Sequence, residues 1–483
     1  MYKEQKSYEP LGQEMEEEQN PHILLPLNVV CKLFLPVSLA FILFVSIIII
    51  TFITASPNGK MTSVIFVFRD AGEYFSLMPF LLTLQKQQAN NFLVSGIIIN
   101  GGTAPADASI ENKNIFMLSS FFPNLNTKKL MERNQTFDQA NEFVKLIIKK
   151  QEEDNHQKEI NRFVIISGLV SKAQIDIIKN FKIVYNNNNN NNNKFETKTI
   201  GYDDGFNNWN KNTWGHKAMT TTITIQTTSD GEKYQKDKHR SIFDKLWVNA
   251  NSIKQEATKA IMIPSLKSQV EIEVVGDSSF LQWEKATKKD ILFYKNVRKY
   301  MYGNNEETCF GILYFGGYGN GYYESVQLFA NVVGNITKQY NQKITTFFCF
   351  SFVAHPGARF NTRKEEEIFK NAGANNVKIL SRSEYATSIY AKASNATLSQ
   401  GSSCGPQSIS IGIPSLFTES SNNIFQTEGI LAIGNNFTAL KTWFYKMKAT
   451  NGQLPGGESH DGATILKDLG IPSDPIARCM EYL

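Results

Sequence analysis

The 483-residue chain is expected to fold as an α/β protein: two parallel, doubly wound domains preceded by one transmembrane helix. Three observations carry that expectation. Short apolar strands alternate with helical patterns from Ser63 to Phe417, turns rich in acid, glycine or hydroxyl follow several strands, and residues 33–53 form an uncharged apolar run. Alternating strands and helices imply a parallel sheet, since each return to the same edge needs a helical crossover.

Length and composition set the outer bounds. The chain is long enough for two domains with full cores, and its 42% hydrophobic and 20% charged residues are those of a globular protein. The formal charge is +5 and unevenly spread. Residues 1–32 hold Lys3, Lys6 and Lys32 against Glu4, Glu9, Glu14, Glu16, Glu17 and Glu18, a net of −3, so the remainder carries +8. That mild basic excess suits a small anionic ligand, and without a Lys/Arg run no nucleic-acid partner is expected. The cysteines are Cys31, Cys309, Cys349, Cys404 and Cys479, with no C-x-x-C pair. They outline neither a zinc site nor a disulfide framework, and one bridge among the last four is possible but unassigned.

Each element follows in order. Residues 1–32 read as a polar cytoplasmic tail. Leu33 to Ile53 carries no charge and is long enough to span a bilayer at helical rise, so it is expected to be a signal anchor with a short stem at 54–61. The flanking charges, Lys32 against Lys60 and Arg69, do not fix its orientation. A single-pass type II arrangement with the body in the lumen of the Golgi or secretory pathway is expected. The sequons at Asn134, Asn335, Asn395 and Asn436 suit it.

A first domain is expected over 62–255, on the acceptor side of a cleft. Its strands are read at Ser63–Phe68, Phe92–Ile99, Ile115–Leu118, Phe163–Ile166 and Thr197–Ile200. Helices are read at Glu73–Gln88, Asp138–Lys150, Lys172–Phe181 and around Ile242–Ser252. Eight asparagines at 186–193 cannot build a core and read as a surface loop. A second domain is expected over 256–440, its strands restarting at Ala260–Ile263. It holds strands at Gly311–Phe315, Thr345–Phe350 and Val377–Leu380, and helices at Gln282–Tyr302, Tyr323–Tyr340 and Arg363–Ala372. Residues 441–483 read as helices that return to the first domain.

Four turns carry possible chemistry. Tyr202-Asp203-Asp204-Gly205 follows the Thr197 strand; alone it is the ordinary sign of a solvated turn. At the carboxyl edge of an open sheet, however, it faces the crevice where such sheets bind ligands. Gly316-Gly317-Tyr318-Gly319-Asn320-Gly321 joins a strand to a helix, the unit whose backbone approaches phosphate closely, though it is not the G-x-G-x-x-G pattern. His355-Pro356-Gly357 ends another strand. Ser402-Ser403 precedes a helix start, where hydroxyls cap free N–H groups or bind phosphate.

The order of these turns over Asn161–Phe417 resembles that of bacterial GT-B-fold sialyltransferases. Those enzymes carry a D/E-D/E-G, an H-P and a Ser-Ser or Ser-Thr motif in that order. The resemblance implies two Rossmann-like domains facing across a cleft and inverting transfer of sialic acid from CMP-sialic acid to a glycan hydroxyl. It makes Asp203 the general base, Asp204 its supporting neighbour and His355 the group that meets the departing phosphate. Gly316, Gly317, Tyr318, His355, Pro356, Ser402 and Ser403 would then bind the nucleotide sugar, with no metal and no cofactor. The ribose-contacting carboxylate of that family has no matching residue here. Two other readings stand beside it: a GT-B transferase using another nucleotide sugar, and a catalytically silent, membrane-anchored sugar-binding protein.

Overall fold

A computed structural model describes residues 61–483 except 88–91, 100–103, 105–111, 127–129, 131, 154–159, 188–195, 205–212, 228–235, 262–269, 304–306, 318–320, 341–347, 356–361, 382–383, 419–429, 454–461 and 469. The chain divides into the units Met1–Gly59 and Lys60–Leu483, and every described residue belongs to the second. The run at 33–53 therefore lies outside the described residues. Among the described residues no helix is long and apolar enough to cross a membrane.

The first sheet has seven strands in the order β3-β2-β1-β4-β5-β8-β9, all paired in parallel. They are β1 (Met61–Phe68), β2 (Phe92–Ile98), β3 (Ile115–Met117), β4 (Ile160–Gly168), β5 (Glu196–Asp203), β8 (Lys245–Val248) and β9 (Glu271–Val274). An antiparallel hairpin, β6 (Thr222–Thr227) with β7 (Lys236–Ser241), interrupts the series. The helices between are α1 (Ala71–Lys86), α2 (Leu118–Phe121), α3 (Ala140–Glu153), α4 (Lys172–Asn187), α5 (Trp214–Thr220) and α6 (Asn251–Ala260). Strands covered on both faces read as continuous apolar runs. Thus Val64, Phe66 and Phe68 pack with Trp247 on one face, and Ile65 and Val67 with Phe163 on the other.

Two expectations are corrected here. The helix expected around Ile242–Ser252 is in its first half the strand β8, because Leu246, Trp247 and Val248 are fully buried between β5 and β9. Burial on both faces of a sheet overrides local propensity. β9 also belongs to the first sheet, so that sheet runs to Val274, past the expected change of domain at residue 255. Ala260 ends α6 rather than opening a strand.

The second sheet has six strands in the order β12-β11-β10-β13-β14-β15, again parallel. They are β10 (Phe310–Phe315), β11 (Phe348–Val353), β12 (Val377–Leu380), β13 (Ala396–Ser399), β14 (Ser415–Phe417) and β15 (Ile430–Ala432). The helix read over Gln282–Tyr302 is two, α7 (Ser279–Ala286) and α8 (Ile291–Tyr302), the second N-capped by Asp290, whose carboxylate accepts from Phe293 N at 2.6 Å. Then come α9 (Tyr322–Tyr340), α10 (Arg363–Asn371), α11 (Thr387–Lys392), α12 (Cys404–Ser410), α13 (Phe437–Ala449), α14 (Gly462–Asp468) and α15 (Pro475–Tyr482). The last helix packs on α1, and Cys479 is buried with Phe66 and Tyr74 of the first core. Lys198 Nζ donates to the main-chain carbonyls of Tyr482 and Leu483, each at 2.8 Å.

Cys309 and Cys349 form a disulfide across the starts of β10 and β11, with Cα atoms 5.6 Å apart. Cys404 and Cys479 take no part in that bridge.

Candidate functional site

The carboxyl edge of the first sheet is acidic because three chain segments deliver carboxylates to it. After β1, Asp70 opens α1, and Glu73 closes a capping box by accepting Arg69 N at 2.8 Å and Asp70 N at 3.2 Å. Glu73 is fully buried, and Gln174 Nε2 donates to both its oxygens at 3.1 and 3.0 Å. It lies over the end of β4, where a Cβ on Gly168 would stand 1.7 Å from Glu73 Oε1. Asp203 ends β5 and Asp204 follows it. Asp204 packs on the start of α1, where a Cβ on Gly72 would stand 1.9 Å from Asp204 Oδ2. Two glycines thus make room for two carboxylates. Asp277 follows β9, buried, and accepts Ser279 N at 2.8 Å.

Crowding of these groups shifts their titration. Burial, then the charge of Asp70, pushes Glu73 up to about 7 against the hydrogen bonds from Arg69, Gln174 and Asp70. Burial, then Glu73, Asp203, Asp70 and Asp277, holds Asp204 well above the usual carboxylate range. Burial also raises Asp277, with Ser279, Ser76 and Gln407 acting the other way. Cations meet Asp70 closely: it pairs with Arg69 at 3.0 Å and Arg133 at 2.6 Å. Among the described residues no three His, Cys, Asp or Glu side chains are arranged to hold a metal.

The second sheet presents backbone and neutral polar groups instead. β10 runs into Gly316, whose N–H donates to Val353 O at 2.8 Å. A Cβ there would stand 2.8 Å from His355 N, so only glycine lets the ends of β10 and β11 close up. Gly317 faces the Tyr322 ring and Gln400 Oε1, and Gly321, at φ +79°, faces Gln400 Nε2. The 19-residue helix α9 starts at Tyr322, whose hydroxyl donates to Glu365 at 3.0 Å. After β13, Ser402 N donates to Ser399 Oγ at 3.0 Å, and Ser402 Oγ accepts Cys404 N at 3.3 Å. Ser403 is the N-cap of α12 without a side-chain cap bond, which leaves its hydroxyl for other use. Tyr318 and Pro356 lie outside the described residues.

The two edges meet at α7 and α12. Gln407 Nε2 donates to Ser279 Oγ, and Ser278 Oγ donates to the carbonyl of Ser76 on α1. Asp277, beside Gln407, is also one of the charges that raise Asp204. Gly316, Gly317 and His355 are thus brought together, Ser402 and Ser403 start the helix that reaches the first sheet, and Asp203 and Asp204 stand on that sheet's facing edge. Glu73, Asp277, Gln400 and Gln407 were not singled out from sequence. Only Glu73 left a local sign there, the D-x-x-E spacing after a strand.

No protein-family model matches the chain, and no curated sequence does. Solved structures match in fold. One is a protein described as a UDP-N-acetylglucosamine 2-epimerase from Listeria monocytogenes, at 11% identity and TM-score 0.56, covering 87% of this chain and 95% of that one. A second is a glycosyltransferase from Rickettsia africae, at 12% identity and TM-score 0.55, covering 88% and 97%. A third is S. aureus MnaA, solved with UDP, at 10% identity and TM-score 0.53, covering 88% and 95%. The class defined is therefore the two-domain, Rossmann-like GT-B fold. Of these neighbours the first is named for a UDP-sugar and the third holds UDP.

Proposed function

We propose that the chain is a membrane-anchored glycosyltransferase that moves a sugar from a nucleotide sugar to a glycan hydroxyl. The observation that carries this reading is the pairing of edges: carboxylates after β1, β5 and β9 opposite a glycine turn, His355 and Ser402-Ser403 after β10, β11 and β13. Asp203 takes the proton of the acceptor hydroxyl as the acceptor oxygen bonds to the anomeric carbon. Asp204, held neutral to higher pH by its surroundings, supports it without adding a second full charge. The bond from the anomeric carbon to the phosphate oxygen breaks, and its electrons leave with the nucleotide. His355, the Ser402 and Ser403 hydroxyls and the backbone N–H groups at the start of α9 meet that charge.

The motif order favours CMP-sialic acid as donor. The likeness to UDP-bound MnaA favours a UDP-sugar, which is the second reading. Anchoring by residues 33–53 with the body in the secretory lumen belongs to the same proposal. The Cys309–Cys349 bridge supports an oxidising compartment.

The test is nucleotide release by the full chain in detergent, given CMP-sialic acid or UDP-N-acetylglucosamine with and without a glycan acceptor. Asp203→Ala and His355→Ala are expected to lower kcat by about 10²–10⁴-fold each while remaining folded. Binding of nucleotide without turnover in the wild type would favour the silent sugar-binding protein. Release of UDP without a transferred sugar would point to chemistry on the donor itself.

A further inference from the structure

We infer that the tip of α8 is a bilayer-docking surface that seats the mouth of the cleft on anionic lipid. Among the described large hydrophobic side chains, Ile291 at 88% and Leu292 at 67% exposure stand out furthest from the core. The fully buried residues of their helix, Val297, Met301 and Tyr302, begin at its second turn. Phe293 and Tyr294 of the first turn are half-buried against the same core and leave Ile291 and Leu292 outside it. Adjacent, solvent-facing aliphatics of this size at a helix start are not what capping needs, since Asp290 already caps α8.

Three surroundings commit the tip to a membrane. The exposed lysines Lys285, Lys288, Lys289, Lys295 and Lys299 flank it in sequence against Glu284 and Asp290. Lys288 pairs with Glu284 at 3.7 Å and Lys295 with Glu307 at 2.5 Å, and the positive excess that is left complements anionic headgroups. Beneath the tip lies a layer of part-exposed rings. Phe293 meets Tyr385 edge-on at 6.0 Å, and Tyr300 meets Tyr385 at 5.7 Å, amphipathic rings of the kind that favour the headgroup level. Phe75, 40% exposed on α1, adds another exposed apolar side chain on an element joined to α7, the helix before the tip: its carbonyl lies 3.5 Å from Gln282 Nε2.

The position of the tip gives the contact a use. A helix that leads into a parallel strand runs antiparallel to it, so α8, which leads into β10, begins at that sheet's carboxyl edge. α7, one short turn earlier, packs on α1 and α12, the helices that carry the two halves of the site. Docking there would present the cleft to a hydroxyl carried on a lipid. That consequence rests on the proposed transferase; the docking itself does not.

The full chain reconstituted in vesicles tests the docking without any turnover. An Ile291→Trp variant is compared with wild type for fluorescence quenching by brominated acyl chains, in phosphatidylserine-rich and in purely zwitterionic vesicles. The added tryptophan is expected to be quenched in the anionic vesicles, and quenching should fall at least twofold when Lys288 and Lys289 are both changed to Gln or when salt is raised. Absence of extra quenching in the anionic vesicles would overturn the inference. So would a dimer in detergent that Ile291→Ser with Leu292→Ser converts to monomer, since the patch would then be a contact between copies. Thermal midpoints of the surface variants are expected to match wild type. If docking holds and no sugar is transferred to any acceptor, the transferase reading fails alone.

Discussion

Glu73 shows how a single side chain can tie stability to pH. In the unfolded chain its carboxyl titrates near 4.5, and in the folded protein near 7, so between these values the folded state holds a proton that the unfolded state has released. Its contribution is fully present below about 4.5 and is lost as pH rises to about 7, a change of up to about 3 kcal/mol. The wild type should therefore lose thermal stability across that window, and Glu73→Gln should flatten the slope. A melting series from pH 4.5 to 8 that leaves the slope unchanged in the variant would rule this out. The sequons divide at the same scale. Asn134 is exposed, whereas Asn395 Oδ1 accepts from Gly311 N at 2.8 Å and Arg298 at 3.1 Å. If the body is lumenal, Asn134 is expected to carry glycan and Asn395 none; a deglycosylation shift that is the same size with and without Asn134→Gln, or that shrinks with Asn395→Gln, would contradict this.

At the scale of elements, adjacent glycines after β10 should behave differently. Gly316→Ala pushes a methyl against the backbone of His355 and Val353, which cannot swing aside, whereas Gly317→Ala meets the Tyr322 ring at 3.2 Å. Gly316→Ala is expected to lower the melting midpoint and weaken nucleotide binding more than tenfold, and Gly317→Ala to do much less of either. Calorimetric titration with nucleotide checks both, and equal effects would remove the special role of Gly316. The elements also divide by how much sequence reveals. Strands such as Val64–Phe68 and Ile312–Phe315 are apolar without interruption, and the helices between them keep a 3.6-residue period, so the layering was legible. β8 was not, because the lysine-rich stretch before Leu246-Trp247-Val248 reads as helix until its neighbours on both sides are known. The same holds for the site. Gly316, His355 and the Asp203-Asp204 pair mark strand ends, whereas Asp277 and Gln407 acquire meaning only because folding brings β9 and α12 together.

For the whole molecule, the halves are joined by a shared apolar core, in which Ile409 and Phe417 pack with Leu246 and Val248, and by polar bonds beside it. The Gln407–Ser279 and Ser278–Ser76 hydrogen bonds and the return of α15 to α1 span the two sheets. Gln407→Ala is expected to leave the melting midpoint within a few degrees yet raise the KM for donor, since the edges would no longer be held in register. An unchanged KM in steady-state kinetics would show that α15 suffices. The Cys309–Cys349 bridge closes a loop with a sequence separation of 40 residues, and chain entropy gives it about 4 kcal/mol. Cys309→Ser with Cys349→Ser should lower stability by that order in a denaturant titration, without touching the carboxyl edges.

The strand order also sets a timetable for synthesis. β1 is flanked by β2 and β4, so its second neighbour is complete only at Gly168, a hundred residues after Phe68. At about 5–20 residues per second the ribosome needs roughly 5–20 s to supply it. During that interval Val64, Ile65, Phe66, Val67 and Phe68 form a half-paired, sticky edge. A nascent body of this kind depends on chaperone cover at its start rather than its end, and slower elongation between β2 and β4 should lower its yield.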